Sequence, residues 1–334
     1  MSGGIWVVGE ADAAGALTKL SGEVATAARA LGEAGGQEVT GVVVAADPDG
    51  AAASLATFLP AVLAVRAPEA ADRPAAAVVA ARIVALAAAA QQPPAYVVLG
   101  ASPDGRDLAG ILSVLLEIGV LVNATELAWG QATGSVPAGP RVEMQPFGGR
   151  VLTSSGFTGE RGIILLRPNM VTAEPLAAPG SVEGRTPGDV VDLPPVRVVE
   201  RVTTESAGAS IEEARVIVAG GRGVGGPDGF TGLRELAGLL GGAVGATRAA
   251  VDAGWIPYAS QIGQTGKTVK PAVYLAFGVS GAIQHKVGMH AAETIIAVNR
   301  DPDAPIGEFA DLFVIADLAA VVPALAAALR ARIG

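Results

Sequence analysis

A set of polar side chains stands among small residues in the second half of the chain and is suited to holding a ligand. The set combines guanidinium, amide, hydroxyl and imidazole groups: Arg248, Gln261, Thr265, Ser280, Gln284, His285 and Asn299. Glycines stand beside many of them, and a glycine lets the backbone approach a bound molecule closely. Taken singly, each residue has an ordinary explanation, such as a structural histidine or a surface ion pair. Together they predict a backbone wrapped closely around a large ligand.

A glycine-rich turn in the same half offers a more specific interpretation. Gly221, Gly223 and Gly226 satisfy the pattern G-x-G-x-x-G after a predicted strand, which is typical of a turn that admits a phosphate. The acidic residue expected about 20 positions later in an NAD site is missing, because Asp252 lies too far along. A tight strand–helix turn without a nucleotide therefore stays open as an alternative. The missing acid counts against an NAD-dependent enzyme.

A second segment resembles a phosphate-binding loop only in part. Residues 261–268 end in Gly266, Lys267 and Thr268, but Gln261 stands where a P-loop requires its first glycine. The segment also lacks an evident buried strand before it. We therefore reject an ATPase.

Composition excludes several other classes of site. The 334 residues contain no cysteine and two histidines, which excludes disulfides, thiol catalysis and cysteine-ligated zinc or iron–sulfur centres. With His285 and His290 as the two imidazoles, we expect no metal site. The formal net charge of −9 lacks the basic footprint of a protein that binds nucleic acid or anionic membranes.

The apolar segments predict no membrane anchor. The most apolar run, 75–90, contains Arg82 and is shorter than the about 20 residues that a membrane span needs. The first eight residues show neither a basic n-region nor an amphipathic leader. We expect a cytoplasmic protein that is not embedded in a membrane.

The first half of the chain alternates short β-prone runs with Ala- and Leu-rich stretches of helical length. The predicted strands are 5–8, 39–44, 61–65 and 96–99, and the predicted helices are 17–31, 51–58, 75–90 and 107–117. This alternation predicts a parallel sheet covered by helices on both faces. From 128 to 168, glycine turns predict a β-rich extension that includes strands 151–154 and 162–166.

A proline-rich stretch without periodicity, about 172–205, predicts a linker, although 196–202 could return to the first domain as a strand. We therefore expect an N-terminal domain at 1–205 and a second domain at 206–334. Predicted strands of the second domain are 215–219, 273–277, 294–298 and 312–315, and predicted helices are 230–240 and 318–329.

Five motifs in the second half resemble the alpha subunit of electron transfer flavoprotein, including its FixB-like members. They are GATRAAVDAG (245–254), QIGQTGK (261–267), GVSGAIQH (278–285), AVNRDPDAPI (297–306) and FADLFVIADL (309–318). They follow that family's order and spacing over about 216–325, and GRDL (105–108) and RPN (167–169) support the resemblance in the first half. The resemblance implies an α/β fold with two domains. The first is a nucleotide-binding-like parallel-sheet domain with a β-rich extension, and the second is a doubly wound, Rossmann-like FAD-binding domain.

The resemblance also implies a function. Members of the family pair with a beta subunit and hold one FAD mainly in the C-terminal domain of the alpha subunit. They carry electrons from primary dehydrogenases, notably the acyl-CoA dehydrogenases of fatty acid beta-oxidation, to electron transfer flavoprotein–quinone oxidoreductase. They transform no substrate of their own. A bifurcating type, which oxidises NADH with a second FAD in the beta subunit, stays open as an alternative.

Individual residues inherit expected roles from the resemblance. Arg222 matches an arginine that helps hold the phosphate region of FAD, and Arg248 matches one that lies against the isoalloxazine ring. A guanidinium there would stabilise reduced, anionic flavin. Thr265 matches a hydroxyl that hydrogen-bonds flavin N5, and His285 matches an imidazole beside the flavin O2 edge. A protonated His285 would raise the flavin potential.

The remaining matches belong to cofactor-binding loops. Those near the flavin ring are Thr247, Gln261, Ile262, Gly263 and Gln264. Those of the loop that contacts the pyrophosphate and ribityl chain are Ser280, Gly281, Ala282, Ile283 and Gln284. Near the adenosine end stand Asn299 and Asp317, followed by Leu318. Because these positions are intact, a scaffold that has lost its cofactor is disfavoured.

Overall fold

The computed structural model describes residues 3–12, 14–146, 151–186, 196–200, 211 and 214–333. The chain divides into two compact units, Met1–Val202 and Thr203–Gly334, and each is built on a parallel sheet. The α/β class with two parallel-sheet domains is confirmed. The predicted boundary at residues 205 and 206 lies outside the described residues.

The first unit is a parallel sheet with helical crossovers and a small antiparallel sheet beside it. Its strands are β1 (Ile5–Gly9), β2 (Val39–Ala45), β3 (Ala61–Arg66), β4 (Tyr96–Gly100), β5 (Val120–Ala124), β6 (Glu126–Gly130), β7 (Gly139–Met144), β8 (Thr153–Gly156), β9 (Gly162–Leu166) and β10 (Ser181–Arg185). Its helices are α1 (Lys19–Gly35), α2 (Asp49–Leu55), α3 (Ala75–Ala89) and α4 (Pro103–Leu116). The main sheet has the order β10-β3-β2-β1-β4-β9-β5, and β6, β7 and β8 form the antiparallel sheet.

Both faces of the main sheet are buried, which explains its apolar strands. Successive side chains of a strand point to opposite faces. Ile5 and Val7 of β1 pack in the cluster that includes α1 and α2, whereas Trp6 and Val8 pack in the cluster that includes α3 and α4. A strand that is buried on both faces has a continuous apolar sequence. The strands and helices predicted up to residue 117 are confirmed, with small shifts at their ends.

Two strands differ from the sequence prediction. β9 lies between β4 and β5 in the main sheet, with all its residues buried, and not in the β-rich extension. β10 lies inside the predicted linker and pairs with β3 at the edge of the sheet. Its five residues are exposed, so no hydrophobic pattern marks it. Residues 196–200 form no strand, and 201–202 lie outside the described residues.

The second unit is a five-stranded parallel sheet of order β12-β11-β13-β14-β15. Its strands are β11 (Val216–Gly220), β12 (Ala243–Ala246), β13 (Val273–Phe277), β14 (Thr294–Asn299) and β15 (Leu312–Ile315). Its helices are α5 (Gly229–Leu239), α6 (Arg248–Asp252), α7 (Ile283–Met289) and α8 (Leu318–Ile333). The sequence prediction lacked β12, α6 and α7, because a run of four to seven residues rich in glycine and alanine carries little periodicity.

The winding of the second unit creates a crevice at one edge of its sheet. The chain passes from β11 to β12 on one side and then crosses to β13 on the other, so winding reverses at β11. Phe230 of α5 and Val322 of α8 pack on one face, and Met289 of α7 packs on the other, which confirms a doubly wound domain. At such a reversal the loops after the two central strands diverge, and ligands bind between them.

The alanine-rich helix α3 is part of the core of the first unit. Its Ala80 and Ile83 are fully buried in the cluster on one face of the sheet. Within the described ranges, no helix combines the length and the apolar character that crossing a membrane requires.

The interior position of β9 in the main sheet is testable by truncating one of its side chains. Ile164 is fully buried and pairs with Val98 of β4 and Leu121 of β5. We expect Ile164→Ala to lower the free energy of unfolding by about 2–5 kcal/mol, measured by urea denaturation, because it leaves a cavity in the sheet. The control is Val122→Ala on edge strand β5, where the side chain is 47% exposed and the loss should stay below about 1 kcal/mol. Equal losses of unfolding free energy in the two variants would contradict the interior position of β9.

Candidate functional site

A cleft of about 720 Å³ lies at the carboxyl edge of the sheet of the second unit. We call it the second-unit cleft. Its walls follow β11, β12, β13 and β14 and consist of Arg222, Gly223, Thr247, Arg248, Ala249, Asp252, Ile262, Gly263, Gln264, Thr265, Gly278, Ser280, Ala282, Gln284, His285, Asn299 and Arg300. The volume is in the range of small-molecule and cofactor sites.

Two backbone turns meet at the base of the cleft, and glycine is required where they touch. A Cβ atom on Gly221 would lie 2.3 Å from the carbonyl oxygen of Gly278, and one on Gly223 would lie 2.7 Å from Gly278 Cα. These turns follow β11 and β13, the two strands that flank the reversal of winding. The first two glycines of G-x-G-x-x-G therefore have a packing reason. A Cβ on Gly226 would meet no atom within 4 Å.

The segment 261–267 is tied to the elements on both sides of it. Ile262 donates its N–H to the carbonyl of Ala246 at the end of β12, at 2.9 Å. Gln264 donates its N–H to the carbonyl of Gln284 in α7, at 2.7 Å. These backbone bonds hold the loop across the cleft and place its side chains along one wall.

Thr265 lines the cleft, and hydrogen bonds from two neighbouring side chains hold it in place. Gln261 is buried, and its Nε2 donates to Thr265 Oγ1 at 3.1 Å. The hydroxyl of Tyr258 donates to the carbonyl of Thr265 at 2.7 Å. Gln261 is not among the residues that line the cleft, but it orients Thr265, which is. Its own contact with a cofactor stays a prediction.

His285 lines the cleft as a buried ring with both nitrogens engaged. Its Nδ1 lies 3.0 Å from the carbonyl oxygen of Ile262, and its Nε2 lies 2.9 Å from the hydroxyl of Tyr274. Burial lowers the pKa of His285 to about 4 and raises the pKa of Tyr274 above its ordinary value. This pKa favours a neutral His285 ring at neutral pH, and the effect of a protonated ring on the flavin potential stays a prediction.

The walls of the cleft carry a surplus of positive charge. Three arginines line it, Arg222, Arg248 and Arg300, against one acidic residue, Asp252. Arg248 Nε lies 3.2 Å from Asp252 Oδ2, and both side chains are exposed. Guanidinium groups bind phosphate oxygens through charge-assisted hydrogen bonds, so this surplus suits a phosphate-bearing ligand.

One buried hydroxyl in the wall lacks a partner within the described part of the chain. Thr247 stands directly before α6, but its side chain makes no cap bond, and its Oγ1 is buried with no hydrogen-bond partner. Such a group is costly unless a bound molecule satisfies it. An unpartnered hydroxyl beside three arginines fits a cofactor with phosphate and hydrogen-bonding ring atoms, such as FAD.

Some predicted residues lie away from the walls. Gly281 packs against the backbone of Ile306, where a Cβ would lie 2.4 Å from its nitrogen. Ile283 is exposed at the start of α7. Asp317 Oδ1 accepts the N–H of Ala319 at 2.9 Å at the start of α8. Leu318 packs partly buried against a core cluster. Their cofactor roles stay predictions.

The cleft also contains residues that the sequence prediction did not assign to the site. They are Ala249, Asp252, Gly278 and Arg300. Gly223 also lines the cleft, and it belongs to the glycine-rich turn whose phosphate-binding role the sequence left open. Arg300 could have been found, because it directly follows Asn299, the last residue of β14, and strand ends at this edge supply ligand contacts. Asp252 is four residues after Arg248, the spacing of an ion pair on a helix.

Comparison with known families covers both units. Residues 5–186 match the model described as electron transfer flavoprotein domain. Residues 210–290 match the model described as electron transfer flavoprotein FAD-binding domain, and they include most of the cleft walls.

Individual relatives agree with these matches. The chain is 39% identical over 326 residues to an electron transfer flavoprotein subunit alpha of Mycobacterium leprae, which covers 96% of each chain. It is 40% identical over 242 residues to the protein of that name from Thermoanaerobacterium thermosaccharolyticum, 70% of each chain. It is 38% identical over 250 residues to protein FixB of Azorhizobium caulinodans, 72% of this chain and 65% of the relative. The chain therefore belongs to the electron transfer flavoprotein alpha subunit family, and its cofactor is FAD.

Proposed function

We propose that the chain is the alpha subunit of a heterodimeric electron transfer flavoprotein that binds FAD in the second-unit cleft. It would carry electrons between partner proteins without transforming a substrate of its own. The observation that carries this proposal is the unpartnered hydroxyl of Thr247 beside three arginines, within the segment that matches the FAD-binding domain. Bound FAD supplies the one- and two-electron chemistry, and the chain positions and tunes it.

The three arginines have two different roles: two would bind the phosphates of the cofactor, and one would adjust the flavin potential. Arg222 and Arg300 stand just after the ends of β11 and β14 and would bind the pyrophosphate. Arg248 stands at the start of α6 and would lie against the isoalloxazine ring, where its charge would stabilise the reduced, anionic form. Its ion pair with Asp252 restrains the guanidinium and offsets part of that charge.

Hydroxyl and amide groups hold the rest of the cofactor. Thr265, oriented by Gln261, offers its hydroxyl to flavin N5. Asn299 Nδ2 donates to the carbonyl of Val279 at 2.9 Å and so fixes the turn that presents Ser280 to the pyrophosphate.

Further residues complete this assignment of the site. Near the flavin ring they are Ile262, Gly263 and Gln264. Around the pyrophosphate and ribityl chain they are Gly281, Ala282, Ile283 and Gln284. At the adenosine end they are Asn299, Asp317 and Leu318.

The partners follow from the family as proposals. Similarity to an electron transfer flavoprotein subunit alpha over 96% of both chains supports pairing with a beta subunit. We propose that acyl-CoA dehydrogenases of fatty acid beta-oxidation reduce the heterodimer in the cytoplasm. Electron transfer flavoprotein–quinone oxidoreductase would then reoxidise it.

The decisive experiment is a visible absorption spectrum of the chain co-purified with its beta subunit, followed by stepwise reduction and by addition of NADH. One FAD per heterodimer, silent to NADH and reduced by an acyl-CoA dehydrogenase with its substrate, is the expected result. Two flavins bleached by NADH would instead assign the bifurcating type. A heterodimer without flavin would overturn the proposal.

Arg248 tests the electrostatic tuning. We expect Arg248→Ala to lower the flavin potential, because the reduced form loses a nearby positive charge. Each tenfold loss in the stabilisation of the reduced flavin relative to the oxidised flavin lowers the potential by about 59 mV for a one-electron step. Spectroelectrochemical titration of the heterodimer measures the shift. The matched control is Arg234→Ala, an exposed arginine of α5 outside the cleft, which removes the same charge. Equal potentials in both variants would refute the role of Arg248.

Removing the Thr247 hydroxyl should affect the stability of the FAD-free chain and the affinity for FAD differently. Thr247→Val keeps the shape of the side chain but removes the hydroxyl that lacks a partner. The unfolding free energy of the FAD-free chain should stay equal or rise, whereas FAD binding should weaken by about 0.5–1.5 kcal/mol. Thermal unfolding and flavin fluorescence titration measure the two effects. Unchanged affinity would show that Thr247 does not contact the cofactor.

A further inference from the structure

Tyr274 is a buried tyrosine behind the second-unit cleft that the proposed FAD contacts do not use. It lies on β13, its side chain has 0% exposure, and it does not line the cleft. Its hydroxyl lies 2.9 Å from Nε2 of His285. The ring centroids of the two residues are 6.1 Å apart. Tyr274 can therefore act on the site through His285.

The hydrogen bonds around His285 determine where its proton lies. A backbone carbonyl can only accept, so the contact between Nδ1 and the oxygen of Ile262 requires a hydrogen on Nδ1. In a neutral ring the other nitrogen, Nε2, then carries a lone pair. The hydroxyl of Tyr274 donates to that lone pair. One tautomer satisfies both bonds.

A second proton on the ring would disrupt this arrangement. It would place an N–H of His285 against the hydroxyl of Tyr274, whose own hydrogen has no other acceptor among the residues that the structure describes. A donor left without an acceptor in a buried site is unfavourable. Burial acts in the same direction, since it lowers the pKa of His285.

The charges near His285 add to this preference. In the cleft the charged residues are the cations Arg222, Arg248 and Arg300 and the single acid Asp252, which already pairs with Arg248. The next residue of α7, Lys286, places its Nζ 4.4 Å from the ring centroid of Phe309. A surplus of positive charge disfavours a further cation on His285.

We propose that Tyr274 is a positioning residue that fixes His285 as the neutral Nδ1–H tautomer, with neither ring nitrogen free to donate to the cofactor. The consequence for flavin rests on the proposed function, whereas the tautomer does not. His285 then contributes the carbon edge of its ring to the cleft and no charge. The pH dependence of the flavin potential arises elsewhere than at His285.

The tautomer can be read directly, because the chain has only two histidines. Long-range ¹⁵N–¹H spectra of the full chain labelled with ¹⁵N-histidine should show, for His285 at neutral pH, one protonated Nδ1 and one hydrogen-bonded acceptor Nε2. Tyr274→Phe should move the Nε2 signal to that of an unbonded acceptor and leave Nδ1 protonated. Tyr96→Phe, at a buried tyrosine of the first unit, is the matched control and should change neither signal.

Two outcomes of this experiment overturn the proposal. One is an Nε2–H tautomer or a charged His285 ring at neutral pH in the unsubstituted chain, which decides the matter even if Tyr274→Phe does not fold. The other is an Nε2 signal that Tyr274→Phe leaves unchanged. Neither outcome depends on FAD, so each is distinct from the failure of the proposed function, which would show as a heterodimer without flavin.

A second readout tests the consequence at the flavin. The flavin potential of the heterodimer is measured from about pH 6 to about pH 8, across the ordinary pKa of a histidine, for the unsubstituted protein and for His285→Gln. A neutral His285 predicts a constant offset between the two curves. An offset that grows as the pH falls would show that His285 takes up a proton in the holoprotein, and would overturn the proposal.

Discussion

The contact between the two backbone turns at Gly221 and Gly278 is the constraint on which the second-unit cleft depends. The turns follow the strands where the winding reverses, and they approach so closely that a single Cβ at Gly221 would collide with a carbonyl oxygen. That approach brings Arg222 on one turn and Ser280 on the other into one wall. Side chains with strong hydrogen-bonding groups can then converge from four strand ends and from the loop 261–267.

The same type of sheet produces a different electrostatic environment in the first unit. A cavity of about 670 Å³ lies there at the carboxyl ends of β1, β2 and β4. Its described lining includes Glu10, Asp12, Asp47 and Asp104 and no lysine, arginine or histidine. Burial raises the pKa of Glu10, whose Oε2 accepts the hydroxyl of Ser102 at 2.6 Å. Acidic walls repel phosphate, so the two parallel-sheet units differ at this edge in side-chain charge, and the positive charge lies in the second-unit cleft.

Sequence reasoning succeeded where periodicity or motif order carries information, and it failed where tertiary contacts decide. The alternation of β1 to α4 could be predicted because each buried strand and each amphipathic helix has its own period. The position of β9 in the sheet could not, since strand order is not contained in the apolar run itself. In the site, the motifs identified Arg248, Thr265 and His285. The hydrogen bonds of the Gln261 side chain and of the buried His285 ring are made with partners, Thr265 and Tyr274, that only the folded chain brings together.

The position of β9 in the sheet also affects when the first unit can fold during synthesis. A strand between β4 and β5 that follows both in the chain makes the main sheet rich in contacts between residues distant in sequence. Topologies of this kind fold more slowly than those with local contacts. A nascent chain that has emerged from the ribosome only as far as β5 lacks the strand that joins β5 to β4 in the sheet. The first unit therefore completes its sheet only after β9 and the edge strand β10 have been synthesised.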